Sequence, residues 1–179
     1  MPKVLVPLTD GVEEMEAVII IDALRRAGWD VVAAGMKPGA ILASRGVKIQ
    51  PDLPWEQIDP STFDAVMIPG GKGARSLAAD TRILEAVRDF RTAGKWIGAI
   101  CAAPLVLQAA GILNGVRATC HPSVAAELTS ARHENQRVVV DGRIITSQGP
   151  GTAFEFALTL IRLAEGPAAA DTVAGPMIL

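Results

Sequence analysis

The chain has 179 residues, half of them hydrophobic and 20% charged, with a formal net charge of −2. That length and apolar content suit one folded domain spanning 1–179 and exclude a disordered chain. The near-balanced charge offers no basic face for nucleic acid or an anionic membrane, and two cysteines are too few for a disulfide scaffold.

The opening Met-Pro-Lys runs directly into Val4-Leu5-Val6-Pro7-Leu8, a buried-strand pattern with no signal-peptide architecture before it. Together with the two cysteines this points to a reducing cytoplasm. Helical periodicity follows over 13–27 and stops at Gly28; a second strand is expected over 30–36, closed by Lys37-Pro38-Gly39. Short strands are expected over 40–43 and 47–50, and a core strand over 64–68 that ends in Pro69-Gly70-Gly71. A helix covers 81–93, then comes a strand over 95–100, Cys101, and a helix over 102–110. Residues 96–113 are almost wholly apolar, but Pro104 and the internal glycines break them into a strand, a turn and a helix rather than a membrane span. A hairpin turning at Asp141-Gly142, a long helix over 153–164 and a short terminal helix complete the chain.

Apolar strands alternating with helices predict an α/β fold, a doubly wound and mostly parallel sheet with helices on both faces. In such sheets ligands sit beyond the carboxyl ends of the strands. Leu8-Thr9-Asp10, Pro69-Gly70-Gly71 and Cys101 all occupy such ends.

Cys101 stands at a strand-to-helix junction, where free N–H groups and the helix dipole favour thiolate, the nucleophilic form. The alternative is a small buried apolar residue. Glu16 falls on the apolar stripe of the first helix with Val12, Ile19, Ile20 and Ala23, so its carboxyl must be neutral or paired. A neutral Glu16 can donate a hydrogen bond to a nearby thiolate. Glu13 and Glu14 are read as simple complements to the helix dipole. Met15, Val18, Ile21 and Leu24 extend the apolar arc and point to a second subunit. The Gly70-Gly71 pair lets N–H groups approach an oxyanion, or merely makes a turn. His121 is the candidate base, His133 lies in a polar stretch and reads as solvated, and Cys120 reads as packing. The cysteine and histidine spacing does not suit zinc, so no metal is expected.

Taken together, Gly11-Val12-Glu13-Glu14-Met15-Glu16, Arg25-Arg26-Ala27-Gly28, Ser44-Arg45-Gly46-Val47, Pro69-Gly70-Gly71, Ala99-Ile100-Cys101-Ala102-Ala103-Pro104, Cys120-His121-Pro122 and the run from Thr146 to Ala157 resemble the ThiJ/PfpI superfamily. The resembling branch is that of the parkinsonism-associated deglycase and its bacterial relatives. The resemblance implies a flavodoxin-like sandwich and a homodimer joined partly through the first helix. It implies Cys101 as nucleophile on a sharp elbow, Glu16 as the acid bonded to it, and His121 as base or proton shuttle. It places an oxyanion pocket at the N–H groups of Gly71 and Ala102, with Gly70, Arg45 and Pro150 shaping the site. Where the family carries accessory cysteines this chain has Ala43 and Gln50.

The expected activity is glyoxalase or deglycase chemistry without cofactor, on methylglyoxal, glyoxal, or glycated protein or nucleotide. The competing expectation is an oxidation sensor or holdase chaperone acting through Cys101. Peptide hydrolysis and isonitrile hydration, found in other branches, are further alternatives, as is a flavin carrier, for which a chain without tyrosine offers few stacking rings.

Overall fold

The computed structural model describes residues 1–179. Its strands are β1 (Lys3–Leu8), β2 (Asp30–Gly35), β3 (Ile41–Leu42), β4 (Lys48–Ile49), β5 (Leu53–Pro54), β6 (Ala65–Ile68), β7 (Trp96–Ile100), β8 (Arg117–Ala118), β9 (Arg132–His133), β10 (Val138–Asp141) and β11 (Ile144–Ser147). Its helices are α1 (Glu14–Arg26), α2 (Gly73–Ala78), α3 (Thr81–Thr92), α4 (Pro104–Ala109), α5 (Ala153–Glu165) and α6 (Pro167–Ala174).

The central sheet has the order β10-β11-β7-β6-β1-β2-β5. Every pairing is parallel except β10 with β11, the hairpin at Asp141-Gly142. The inner strands β1, β6 and β7 are buried almost throughout, as a sheet covered on both faces requires. One core layer lies under α2, α3 and α4 and includes Leu77, Phe90 and Val106; the other lies under α1, α5 and α6 and includes Ile20, Leu24, Phe156 and Ile161. Burying Phe90 and Phe156 completely is worth several kcal/mol each, about 3–5 by the usual cost of Phe→Ala.

The expected strands over 40–43 and 47–50 pair with each other as an isolated hairpin outside the main sheet. The helix expected over 102–110 is shorter: Cys101 to Ala103 form a turn, and α4 starts only at Pro104, whose fixed φ suits a first helical position. Helix α2 and the short strands β5, β8 and β9 escaped the periodicity, because six residues or fewer carry too little pattern. No helix is long and apolar enough to cross a membrane.

Candidate active site

Three chain segments converge beyond the carboxyl ends of β1, β6 and β7. The loop after β1 is stitched to the loop after β6: Glu13 N–H donates to the Gly70 carbonyl at 3.0 Å, and Gly73 N–H to the Gly11 carbonyl at 3.0 Å. Gly71 has φ +83°, and a Cβ there would collide with the Gly11 carbonyl and the Glu13 nitrogen. Only glycine lets the two loops approach this closely.

Cys101 sits at the end of β7 with φ 64°, a left-handed conformation that non-glycine residues adopt rarely and at a cost of about 1–3 kcal/mol. The surroundings hold it there. Its N–H donates to the Ser147 carbonyl at 2.9 Å, and its carbonyl accepts from His121 N–H at 2.8 Å. The turn aims Sγ at the Gly70–Gly71 loop, and the N–H groups of Gly71 and Ala102 point at the sulfur. Gly70 passes so close that a Cβ there would lie 2.7 Å from the Cys101 Cβ.

Glu16 is fully buried. Its Oε2 accepts a hydrogen bond from Gly70 N–H at 2.7 Å, Oε1 is buried without a hydrogen-bond partner, and the carboxyl neighbours the Cys101 thiol. Burial pushes the Glu16 carboxyl up to about 7; the Gly70 N–H and the thiol pull it down, and the nearby Glu13 charge pushes it up. Burial also raises the Cys101 thiol, and with the Glu16 charge beside it the thiol reaches about 12, against the pull of the Gly71 and Ala102 N–H groups. The helix-entrance effect expected to favour thiolate is therefore outweighed: α4 starts three residues later, and Cys101 is 9% exposed. The carboxyl therefore gives up its proton before the thiol does, and thiolate forms here at the expense of the Glu16 charge.

His121 is half-buried, tied to Cys101 through the backbone, with its ring Cδ2 beside Gly149. Pro150 opens the 3-10 turn that follows Gly149. Arg45 enters the neighbourhood only through its N–H, which donates to Glu14 Oε1 at 2.8 Å; its side chain forms no ion pair, and the residue is exposed. Cys101, Glu16, Gly70, Gly71 and Ala102 thus form the tight cluster, and His121 is tied to it through the Cys101 carbonyl.

Two acidic residues do more than complement a dipole. Glu13 caps α1 by accepting from Glu16 N–H at 2.8 Å, which helps to set the Glu16 backbone. Glu14 is buried and accepts from the Ser44 hydroxyl at 2.9 Å as well as from Arg45 N–H, fastening the β3–β4 turn to α1. Such long-range partners leave no periodic trace in a sequence. Ser123 was also missed: its hydroxyl lies 2.7 Å from His121 Nδ1 and its N–H donates to the same atom at 3.2 Å. The one available signal was Pro122, which starts a short 3-10 helix with His121 as its cap. Cys120 is 1% exposed and packs in the core under α4, and His133 is exposed.

A mostly parallel sheet between helices, with a strained cysteine elbow facing a buried carboxyl, defines a particular class of α/β protein. Residues 2–163 match the model of the DJ-1/PfpI family, and the chain belongs to that family. It is 39% identical to the glutathione-independent glyoxalase DJR-1.2 of Caenorhabditis elegans, over 98% of this chain and 95% of that protein. It is 42% identical to protein DJ-1 homolog B of Arabidopsis thaliana over 89% of this chain, and spans 37% of that longer protein. The crystal structure of Drosophila melanogaster DJ-1beta superposes with a TM-score of 0.96 at 38% identity, covering 99% of this chain and 98% of that one.

Proposed function

We propose that this chain is a cysteine-dependent glyoxalase or deglycase that needs no added cofactor and acts on methylglyoxal, glyoxal or their early adducts on protein or nucleotide. The observation that carries the reading is the buried Glu16 carboxyl beside the Cys101 thiol, with the Gly71 and Ala102 N–H groups aimed at the same sulfur. Its similarity to a glutathione-independent glyoxalase supports the reading.

The Cys101 sulfur attacks the aldehyde carbon of methylglyoxal; a C–S bond forms, and the carbonyl electron pair becomes an alkoxide met by those N–H groups. Protonation gives a hemithioacetal. Glu16, relieved of its proton, takes the hydrogen from the same carbon, and a proton returns to the neighbouring carbon, leaving a thioester of lactate. His121 serves the second oxygen in this step. Water cleaves the thioester and restores the thiol. The sum is methylglyoxal plus water giving lactate: one carbon is oxidised as its neighbour is reduced, so no external redox partner enters. A deglycase reaction begins from the hemithioacetal or aminocarbinol of a glycated thiol or amine instead. Methylglyoxal loss and lactate formation by the parent, Cys101→Ser and Glu16→Gln test this. A Cys101→Ala protein that keeps the parent rate overturns it.

The working unit in this reading is one ThiJ/PfpI-type domain over 1–179, cytoplasmic and homodimeric. The exposed Met15 and Val18 on α1 support the dimer, since large apolar side chains in one patch favour a partner. A second reading is oxidation sensing: a protonated Glu16 is placed to donate a hydrogen bond to a sulfinate on Cys101.

A further inference from the structure

We infer that Ser123 is a positioning residue that holds His121 as a neutral imidazole protonated at Nε2, so that His121 acts as a hydrogen-bond donor to the reacting oxygen and not as the base. This rests on the dicarbonyl reading of the site and assigns one of its roles.

The inference follows from which groups can only donate. Ser123 N–H lies 3.2 Å from His121 Nδ1 and has no lone pair to offer, so Nδ1 must present its own lone pair. The Ser123 hydroxyl lies 2.7 Å from the same atom and can turn its hydrogen toward that lone pair. A hydrogen on Nδ1 would point into the Ser123 N–H, which can only donate. The ring hydrogen therefore sits on Nε2, at the far corner of the ring, which no protein group engages. A half-turn of the ring would put the Cδ2 carbon, not a nitrogen, against the Ser123 N–H and hydroxyl, so these two bonds hold the ring as it stands. A neutral imidazole fixed this way polarises a carbonyl or enediol oxygen by donating from Nε2. The carbon-bound hydrogen is then left to Glu16, the other titratable side chain against Cys101. Roles divide cleanly: Glu16 moves the proton, and His121 steadies the oxygen.

The test uses protein labelled with 15N-histidine, observed by long-range nitrogen–proton correlation, with His133→Gln identifying the signals of the second of the two histidines. Unprotonated Nδ1 and protonated Nε2 are expected in the parent and in Ser123→Thr. Ser123→Asp supplies an acceptor and is expected to draw the hydrogen to Nδ1 and lower kcat with methylglyoxal by about tenfold or more, with KM little changed. Ser123→Ala, which keeps the backbone donor, is expected to lose about two- to tenfold in kcat, and Thr to restore it. A residue that merely held the turn would leave the tautomer unmoved. Protonated Nδ1 in the parent, or a Ser123→Asp protein with the hydrogen on Nδ1 and undiminished kcat, overturns the assignment. A parent without methylglyoxal turnover overturns the proposed function alone, and the spectra still decide the tautomer.

Discussion

The Glu16 carboxyl and the Cys101 thiol meet across the Gly70–Gly71 loop, because β6, which ends in that loop, lies between the strands leading to the other two. They share a site that water scarcely reaches. The reactive form of the pair has lost one of its two protons. With the carboxyl at about 7 and the thiol at about 12, kcat/KM for methylglyoxal is expected to rise with pH through about 7. Glu16→Gln keeps an acceptor for Gly70 N–H but holds no exchangeable charge. It should lower turnover by about a hundredfold or more and erase that inflection in the pH–rate profile.

The same carboxyl makes stability depend on pH. Its folded value of about 7 lies above the ordinary 4.5, so between these limits the native state keeps a proton that the unfolded chain has released. Stability therefore falls as pH rises from about 4.5 to about 7 and stays lowered above, by about 3 kcal/mol at most. Denaturant titrations at pH 5 and pH 8 should show this loss in the parent and little of it in Glu16→Gln. Equal losses in the two proteins would count against a buried, uncompensated charge.

Gly71→Ala tests the close approach of the two loops. The added methyl collides with backbone of Gly11 and Glu13, which has no flexible end to give way, and φ +83° is unfavourable for alanine. A loss of more than about 2 kcal/mol in thermal or denaturant unfolding is expected. Gly28→Ala, also at positive φ but with open space around it, should lose only about 1 kcal/mol.

Met15 and Val18 are 54% and 51% exposed on α1. Val18→Asp adds charge where a partner helix would pack. Sedimentation should find the parent as a dimer and the variant as a monomer at micromolar concentration. A parent that sediments as a monomer removes the dimer from the proposed function.

Mild peroxide should add two oxygens to Cys101 and none to Cys120, as peptide mass spectrometry would register. Cys120 is 1% exposed, and burial raises its thiol to about 11 with no hydrogen-bond donors to relieve it. Cys101 has the Gly71 and Ala102 N–H groups, and a protonated Glu16, to stabilise the charged product.

Much of this was legible in the residues themselves. The apolar runs of β1, β6 and β7 and the 3.6-residue stripes of α1, α3 and α5 report burial on both faces of a sheet, because periodicity is a local property. Glu16 on an apolar stripe, and Cys101 at a strand end, stood out as residues that break their own local pattern. The turn at Asp141-Gly142 was likewise local chemistry. Tertiary structure decided the rest. It set the sheet order that brings Gly70 between Glu16 and Cys101, the left-handed turn at Cys101, the Glu14 anchor on Ser44 and Arg45, and the Ser123 bond to His121. It also reversed the balance at the thiol, where burial and a neighbouring carboxylate outweigh the helix entrance. Partners distant in sequence, and the water they exclude, depend on how the layers pack, and no window along the chain contains that information.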